Sequence, residues 1–111
     1  MAVSSIAADE AIALIENGGW LLDVREQDEW DRGHAPSAHS VPLSELHLRI
    51  AEIPTDQRVL VVCLAGSRSL RAASALANAG VDAVNVTGGM LAWVSEAGPV
   101  VSEGVDEARV E

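Results

Sequence analysis

The segment Arg58-Val59-Leu60-Val61-Val62-Cys63-Leu64-Ala65-Gly66-Ser67-Arg68-Ser69 sets the architecture. Its first half is continuously apolar rather than alternating, the pattern of a parallel-sheet strand covered on both faces. Its second half leads through Gly66 into an alanine-rich stretch that reads as a helix from about Arg68 to Asn78, with Gly80 as the C-cap. The only cysteine of the chain stands at the junction. A thiol there meets unpaired backbone N–H groups at a helix N-terminus, where the dipole favours negative charge. Both effects lower a thiol's pKa, and the thiolate is the nucleophile. Gly66 lets the backbone curl so that successive N–H groups face one anion.

Outward from this segment, short apolar runs alternate with helical patterns. Residues 8–16 read as a helix with Ala8, Ile12 and Ile15 on one face, stopped by Asn17-Gly18-Gly19; Ala7 stands where a capping serine or threonine is expected. Trp20-Leu21-Leu22-Asp23-Val24 reads as a strand, and Glu26 to Arg32 as a short helix ended by Gly33. His34 to Ser40 is loop, with an extended piece around Val41. Leu43, Leu46, Ile50 and Ile53 recur at helical spacing, and Pro54-Thr55-Asp56 is a turn. Ala83-Val84-Asn85-Val86 gives a further strand, and Thr87-Gly88-Gly89 opens a last helix through Val94 or Ser95. The predicted fold is α/β, a mostly parallel central sheet with helices on both faces. In such sheets ligands bind at the carboxyl ends of strands, where Cys63 falls.

With 111 residues and 49% hydrophobic content, the chain has room for one core and one domain, assigned to residues 1–98. Residues 99–111 form an acidic tail expected to pack loosely. No apolar run approaches the roughly 20 residues of a membrane helix, and the N-terminus shows no signal-peptide pattern, so a cytoplasmic location is expected. A single cysteine excludes an internal disulfide framework. The net charge of −10 comes from 17 acidic residues against seven arginines, with no lysine. Nucleic acid and anionic membranes, which demand clustered positive charge, are therefore not expected as partners. His34, His39 and His47 with one cysteine match no metal-ligand spacing, so neither metal nor cofactor is expected. Trp30 and Trp93 read as core residues, and Trp20 as core or rim.

These residues together resemble the single-domain rhodaneses, a family of sulfurtransferases. Cys63-Leu64-Ala65-Gly66-Ser67-Arg68-Ser69 fits the family's active-site pattern of cysteine, two variable residues, glycine, one variable residue, arginine and serine. Leu22-Asp23-Val24-Arg25-Glu26 with Glu29-Trp30 and Gly33-His34 matches an upstream signature, and Gly88-Gly89-Met90 with Ala92-Trp93 a downstream one. The matches span about residues 6 to 97. Two positions depart from the pattern: Ser37 replaces a usual glycine, and Ser40 a usual asparagine or histidine.

The resemblance implies a rhodanese-like domain in which Cys63 takes a sulfane sulfur from a small anion such as thiosulfate. The resulting persulfide passes the sulfur to cyanide, a thiol or a protein acceptor. Cys63 and Arg68 are the implied catalytic residues, and Leu64, Ala65, Gly66, Ser67 and Ser69 form the substrate-binding loop. Arg68 either meets an oxyanion of the donor or turns to pair with an acidic neighbour. Ser67 and Ser69 either donate to the loop anion or cap the helix. Asp23 is expected to accept loop N–H bonds and Arg25 to pair with Glu29. A cysteine-dependent phosphatase or arsenate reductase is the rival enzyme. Those loops place five residues between cysteine and arginine, and here four intervene. A non-enzymatic binding module or persulfide carrier is the other alternative.

Overall fold

A computed structural model describes residues 3–111. Five parallel strands lie in the order β1-β5-β4-β2-β3, where β1 is Ser5–Ile6, β2 Trp20–Asp23, β3 His39–Ser40, β4 Arg58–Val62 and β5 Asp82–Val86. Helices α1 (Ala8–Glu16), α2 (Gln27–Arg32), α3 (Ser67–Asn78) and α4 (Gly89–Ser95) connect or follow them. The apolar run of β4 divides between two cores because successive side chains of a strand point to opposite faces. Val59 and Val61 meet Leu22, Ala72, Ala73 and Leu76 on the α3 side. Leu60 and Val62 meet Leu21, Val84, Ala11 and Trp93 on the α1 and α4 side. Cys63 continues the alternation and faces α3. Full burial of each such Val or Leu stabilises by about 1.5–3 kcal/mol, so two continuous strips on β4 and its neighbours anchor the sheet.

From β2 the chain moves outward to β3, and from β4 it moves the opposite way to β5. The reversal opens a crevice at the adjoining carboxyl ends of β2 and β4, the position where open α/β sheets bind ligands. Val24 N–H donates to the Val62 carbonyl at 3.0 Å, so the two strand ends stay paired up to the site.

Four features differ from the sequence reading. Residues 43–53 do not form one amphipathic α-helix. Leu43–Leu48 and Ile50–Glu52 are two 3-10 turns broken at Arg49, whose guanidinium bridges Glu45 and Glu52 across the break. The tighter winding rises about 2.0 Å per residue rather than about 1.5, so it carries the chain farther while still burying Leu46 and Ile53. Strand β1 has no sequence signal of its own. It forms because Asn85 and Thr87 donate to the Ser4 and Ile6 carbonyls.

The acidic tail is also fastened rather than loose. His34 and Val101 exchange two backbone bonds at 2.9 and 2.8 Å, Trp93 Nε1 donates to the Pro99 carbonyl, and Arg109 N–H donates to the Arg32 carbonyl. Gly33 permits this approach, since a Cβ there would collide with the Arg109 backbone. Trp93 is buried as expected, but Trp30 is only half-buried and stacks on the His34 ring at 3.6 Å instead of covering the sheet. Trp20 packs at the edge of the α3-side core and stacks on His39. Among the described residues no helix is long and apolar enough to cross a membrane.

Candidate active site

Cys63 ends β4 with 1% of its surface exposed. The chain turns at Gly66, which has φ +112° and so adopts the left-handed conformation that favours glycine. That turn aims the Gly66 N–H at Cys63 Sγ, 3.1 Å away, and starts α3 at the next residue. One turn into α3 the buried Ser69 hydroxyl lies 3.3 Å from the same sulfur. Burial alone pushes the Cys63 thiol up. Hydrogen bonds from the Ser69 hydroxyl and from the Ser69, Gly66 and Arg68 N–H groups more than offset it, and the thiol lies below its ordinary value. The cradle therefore stabilises a thiolate.

The Gly88-Gly89 pair supports the cradle from behind. Met90 N–H donates to the Cys63 carbonyl at 2.8 Å and Leu91 N–H to the Leu64 carbonyl at 3.1 Å. Gly89 has φ +57°, and a Cβ there would lie 2.5 Å from the Cys63 carbonyl oxygen. The start of α4 is thus docked directly on the nucleophile's backbone, which explains why these glycines accompany the cysteine loop.

The other loop residues separate into distinct positions. Leu64 is half-buried, while Ala65 and Ser67 are exposed at the rim. Of the two serines, Ser69 is the one that reaches the sulfur; among the described residues Ser67 makes no side-chain hydrogen bond. Arg68 takes the second of its two expected roles. Nη1 donates to Glu29 Oε1 at 2.7 Å and Nη2 to Oε2 at 2.9 Å, a two-pronged pair across the crevice. Arg25 does not pair with the Glu29 carboxylate, contrary to the sequence expectation. It is fully buried and forks onto Asp23 at 2.8–3.1 Å, with a further bond to the Gly33 carbonyl. Asp23 also accepts the Arg25 N–H, as expected. Two buried opposite charges at this spacing satisfy each other, so the pair braces the end of β2.

Asn85 escaped the sequence reading. It is buried on β5 and its Oδ1 accepts from the Ser69 hydroxyl at 2.7 Å, directly behind the cradle. The signal was present: a lone amide inside an apolar strand requires a buried partner. Glu29 was noticed, but with the wrong arginine. Among the described residues no group of three or more His, Cys, Asp or Glu side chains is placed to hold a metal ion. A groove of about 370 Å³ lies between α2 and the C-terminal segment, lined by Asp31, Arg32, Glu103 and Arg109; no cysteine lines it.

Comparison with known proteins gives the family. The rhodanese-like domain family matches residues 7–96. The chain is 36% identical to thiosulfate sulfurtransferase 18 of Arabidopsis thaliana, over 91% of this chain and 85% of that protein. It is 32% identical to the putative sulfurtransferase YtwF of Bacillus subtilis, over 87% and 93% respectively. The crystal structure of a rhodanese-related protein from Thermoplasma volcanium superposes with a TM-score of 0.83 at 34% identity, covering 88% of this chain and 97% of that one. A lone cysteine cradled at the switch of a parallel sheet, with its glycine-supported loop and these relatives along nearly its whole length, places the chain in the rhodanese-like family of sulfurtransferases.

Proposed function

We propose that the chain moves a sulfane sulfur through a persulfide on Cys63. The observation that carries this reading is the convergence of the Gly66 N–H and the Ser69 hydroxyl on one buried sulfur whose thiolate they favour. With thiosulfate as the simplest donor, the Cys63 thiolate attacks the outer sulfur. A new Sγ–S bond forms, the S–S bond to the sulfonate breaks, and sulfite leaves with the electron pair. The product is the Cys63 persulfide anion, whose inner sulfur stays beside the Gly66 N–H and the Ser69 hydroxyl. Cyanide or a thiolate then attacks that outer sulfur. Thiocyanate or a new persulfide departs and the Cys63 thiolate is restored, so no net charge is stranded in the site.

Phosphoryl chemistry is the poorer fit. Four residues between Cys63 and Arg68 make a narrow ring suited to a single sulfur. Two carboxylates of the crevice are committed, Asp23 to Arg25 and Glu29 to Arg68, so neither serves as the acid for a phosphate leaving group. No cofactor is needed by the sulfur-transfer steps. The acceptor in turnover is a thiol, cyanide or a protein sulfur acceptor, and a slow cyanide reaction beside a fast protein acceptor would define a carrier.

Intact-mass measurement tests the reading. Protein incubated with thiosulfate or another sulfane donor gains one sulfur atom, a reductant removes it, and Cys63→Ser gains none. Added cyanide returns the mass to its starting value and yields thiocyanate. Absence of a mass gain with every sulfane donor would overturn the proposal.

A further inference from the structure

Arg68 is the sole cation of the cysteine loop, because Leu64 and Ala65 carry no charge. Both of its terminal nitrogens are occupied by Glu29 in the forked geometry that an incoming sulfonate would otherwise use. Glu29 is itself held in place. Its Oε1 accepts the Glu26 N–H at 3.1 Å, closing a capping box at the start of α2, and its side chain is only 14% exposed. Arg25, the other arginine of this crevice, is spent on Asp23. The Glu26 carboxylate also bears on Arg68. The charge of this guanidinium is thus already matched by the Glu29 carboxylate, before the negative charge of the thiolate is added.

From this arrangement we infer that Glu29 determines donor specificity, turning Cys63 away from small dianions and toward sulfane donors of low negative charge. The inference rests on the sulfur-transfer reading above and names its substrate class. An approaching anion must either displace the Glu29 carboxylate from Arg68 or enter a field of its own sign. Two charges about 6–8 Å apart in a partly wet crevice interact strongly enough to change a rate about tenfold per unit of donor charge, and salt removes the effect. An uncharged persulfide carries no such penalty. Its outer sulfur needs only the N–H and hydroxyl donors that the cradle already aims at Cys63.

The test compares two donors that deliver the same sulfur but differ in charge: thiosulfate, a dianion, and benzenethiosulfonate, a monoanion. Glu29→Gln keeps the side-chain length and the oxygen that caps α2, and removes one negative charge. The expected result at low ionic strength is a rise in kcat/KM for thiosulfate about tenfold larger than the rise for benzenethiosulfonate, with Glu29→Asp staying near the wild-type ratio. The wild type supplies a readout that needs no variant: its preference for the monoanion shrinks as salt is added. An unchanged donor ratio in Glu29→Gln, or a wild-type preference for thiosulfate at low salt that falls on adding salt, would overturn the inference. Intact mass keeps the two levels apart. Persulfide on Cys63 with an unaltered ratio refutes only the role of Glu29, whereas no persulfide from either donor refutes the sulfur-transfer reading beneath it.

Discussion

Replacing Ser69 with alanine should raise the pKa of Cys63 and cut the fraction of thiolate about tenfold at a given pH below both inflections. The Ser69 hydroxyl has one proton and three acceptors within reach: Asn85 Oδ1 at 2.7 Å, the Gly66 carbonyl at 3.2 Å and Cys63 Sγ at 3.3 Å. While the sulfur is a neutral thiol, the closest acceptor, Asn85, holds the proton. Once charge appears on the sulfur, the proton does better turning to it. A hydrogen bond to a charged acceptor contributes about 1.5–3 kcal/mol and a neutral one about 1, so the turn gains about 0.5–2 kcal/mol. A gain of that size changes the thiolate-to-thiol ratio by about two- to thirtyfold. The sign follows directly, since a donor that favours the thiolate is lost and the thiol becomes harder to ionise.

The rate of alkylation by iodoacetamide against pH reads this shift, because the reagent is uncharged and feels neither Glu29 nor the net charge. Below both inflections the variant has about one-tenth of the thiolate. The more basic sulfur is intrinsically more nucleophilic, so the net slowing is about threefold. The substitution also leaves the buried Asn85 Oδ1 without its donor, which costs about 1–3 kcal/mol and lowers the urea midpoint. An inflection that stays in place while stability falls would show that Ser69 only braces the strand, and would refute the argument that it tunes the nucleophile.

Three further outcomes follow from the same geometry. Gly66→Ala forces a left-handed backbone on a residue with a Cβ and brings that Cβ to 3.3 Å from Gly88 N, so it should cost about 1–2 kcal/mol and reduce persulfide formation at least about tenfold, as read by intact mass over time. The hydrogen bond from Arg68 holds the Glu29 carboxyl below its ordinary value. The stability this supplies is complete above the unfolded carboxyl value of about 4.3 and is lost as pH falls through the lower folded one. Urea midpoints measured from neutral to strongly acid pH should therefore decline less steeply in Glu29→Gln than in the wild type; parallel acid limbs would refute the pairing. Ending the chain after Gly98 removes two His34–Val101 backbone bonds, the Glu103 and Arg109 N–H bonds to the Asp31 and Arg32 carbonyls, and the Trp93 Nε1 bond to Pro99, at about 1 kcal/mol each, so the urea midpoint should fall by the equivalent of about 5 kcal/mol. An unchanged midpoint would mean that the segment contributes nothing to the fold.

The sequence revealed most where the physics is local. The apolar run Val59–Val62 specified a strand covered on both faces, because each of its residues demanded burial and consecutive residues point oppositely. Gly66 marked the turn and Cys63 the strand end without help from the rest of the chain. The 43–53 segment failed for an identifiable reason. Spacings of three and four fit an α-helix and a pair of 3-10 turns alike, so the apolar pattern does not select between them. The C-terminal segment is a related case: its acidic composition predicts solvation, but Gly33, with no Cβ, lets the Arg109 backbone pack against it.

Within the site, what stayed hidden was partner choice rather than residue identity. Arg25 lies four positions before Glu29, an ordinary helical pairing, and yet it turns to Asp23 only two residues away, because both are buried at the end of β2. That leaves the Glu29 carboxylate to Arg68, which stands far off in sequence and becomes a neighbour only because β2 and β4 are adjacent in the sheet. The Ser69–Asn85 bond arises likewise from β4 and β5 being adjacent. The sheet order thus does more than support the cysteine. Adjacency to β5 supplies the proton acceptor that shares Ser69 with the sulfur, and adjacency to β2 supplies the carboxylate that occupies Arg68. A chain with the same cysteine loop but a different residue at position 29 would keep the nucleophile and change the charge of the donor it accepts.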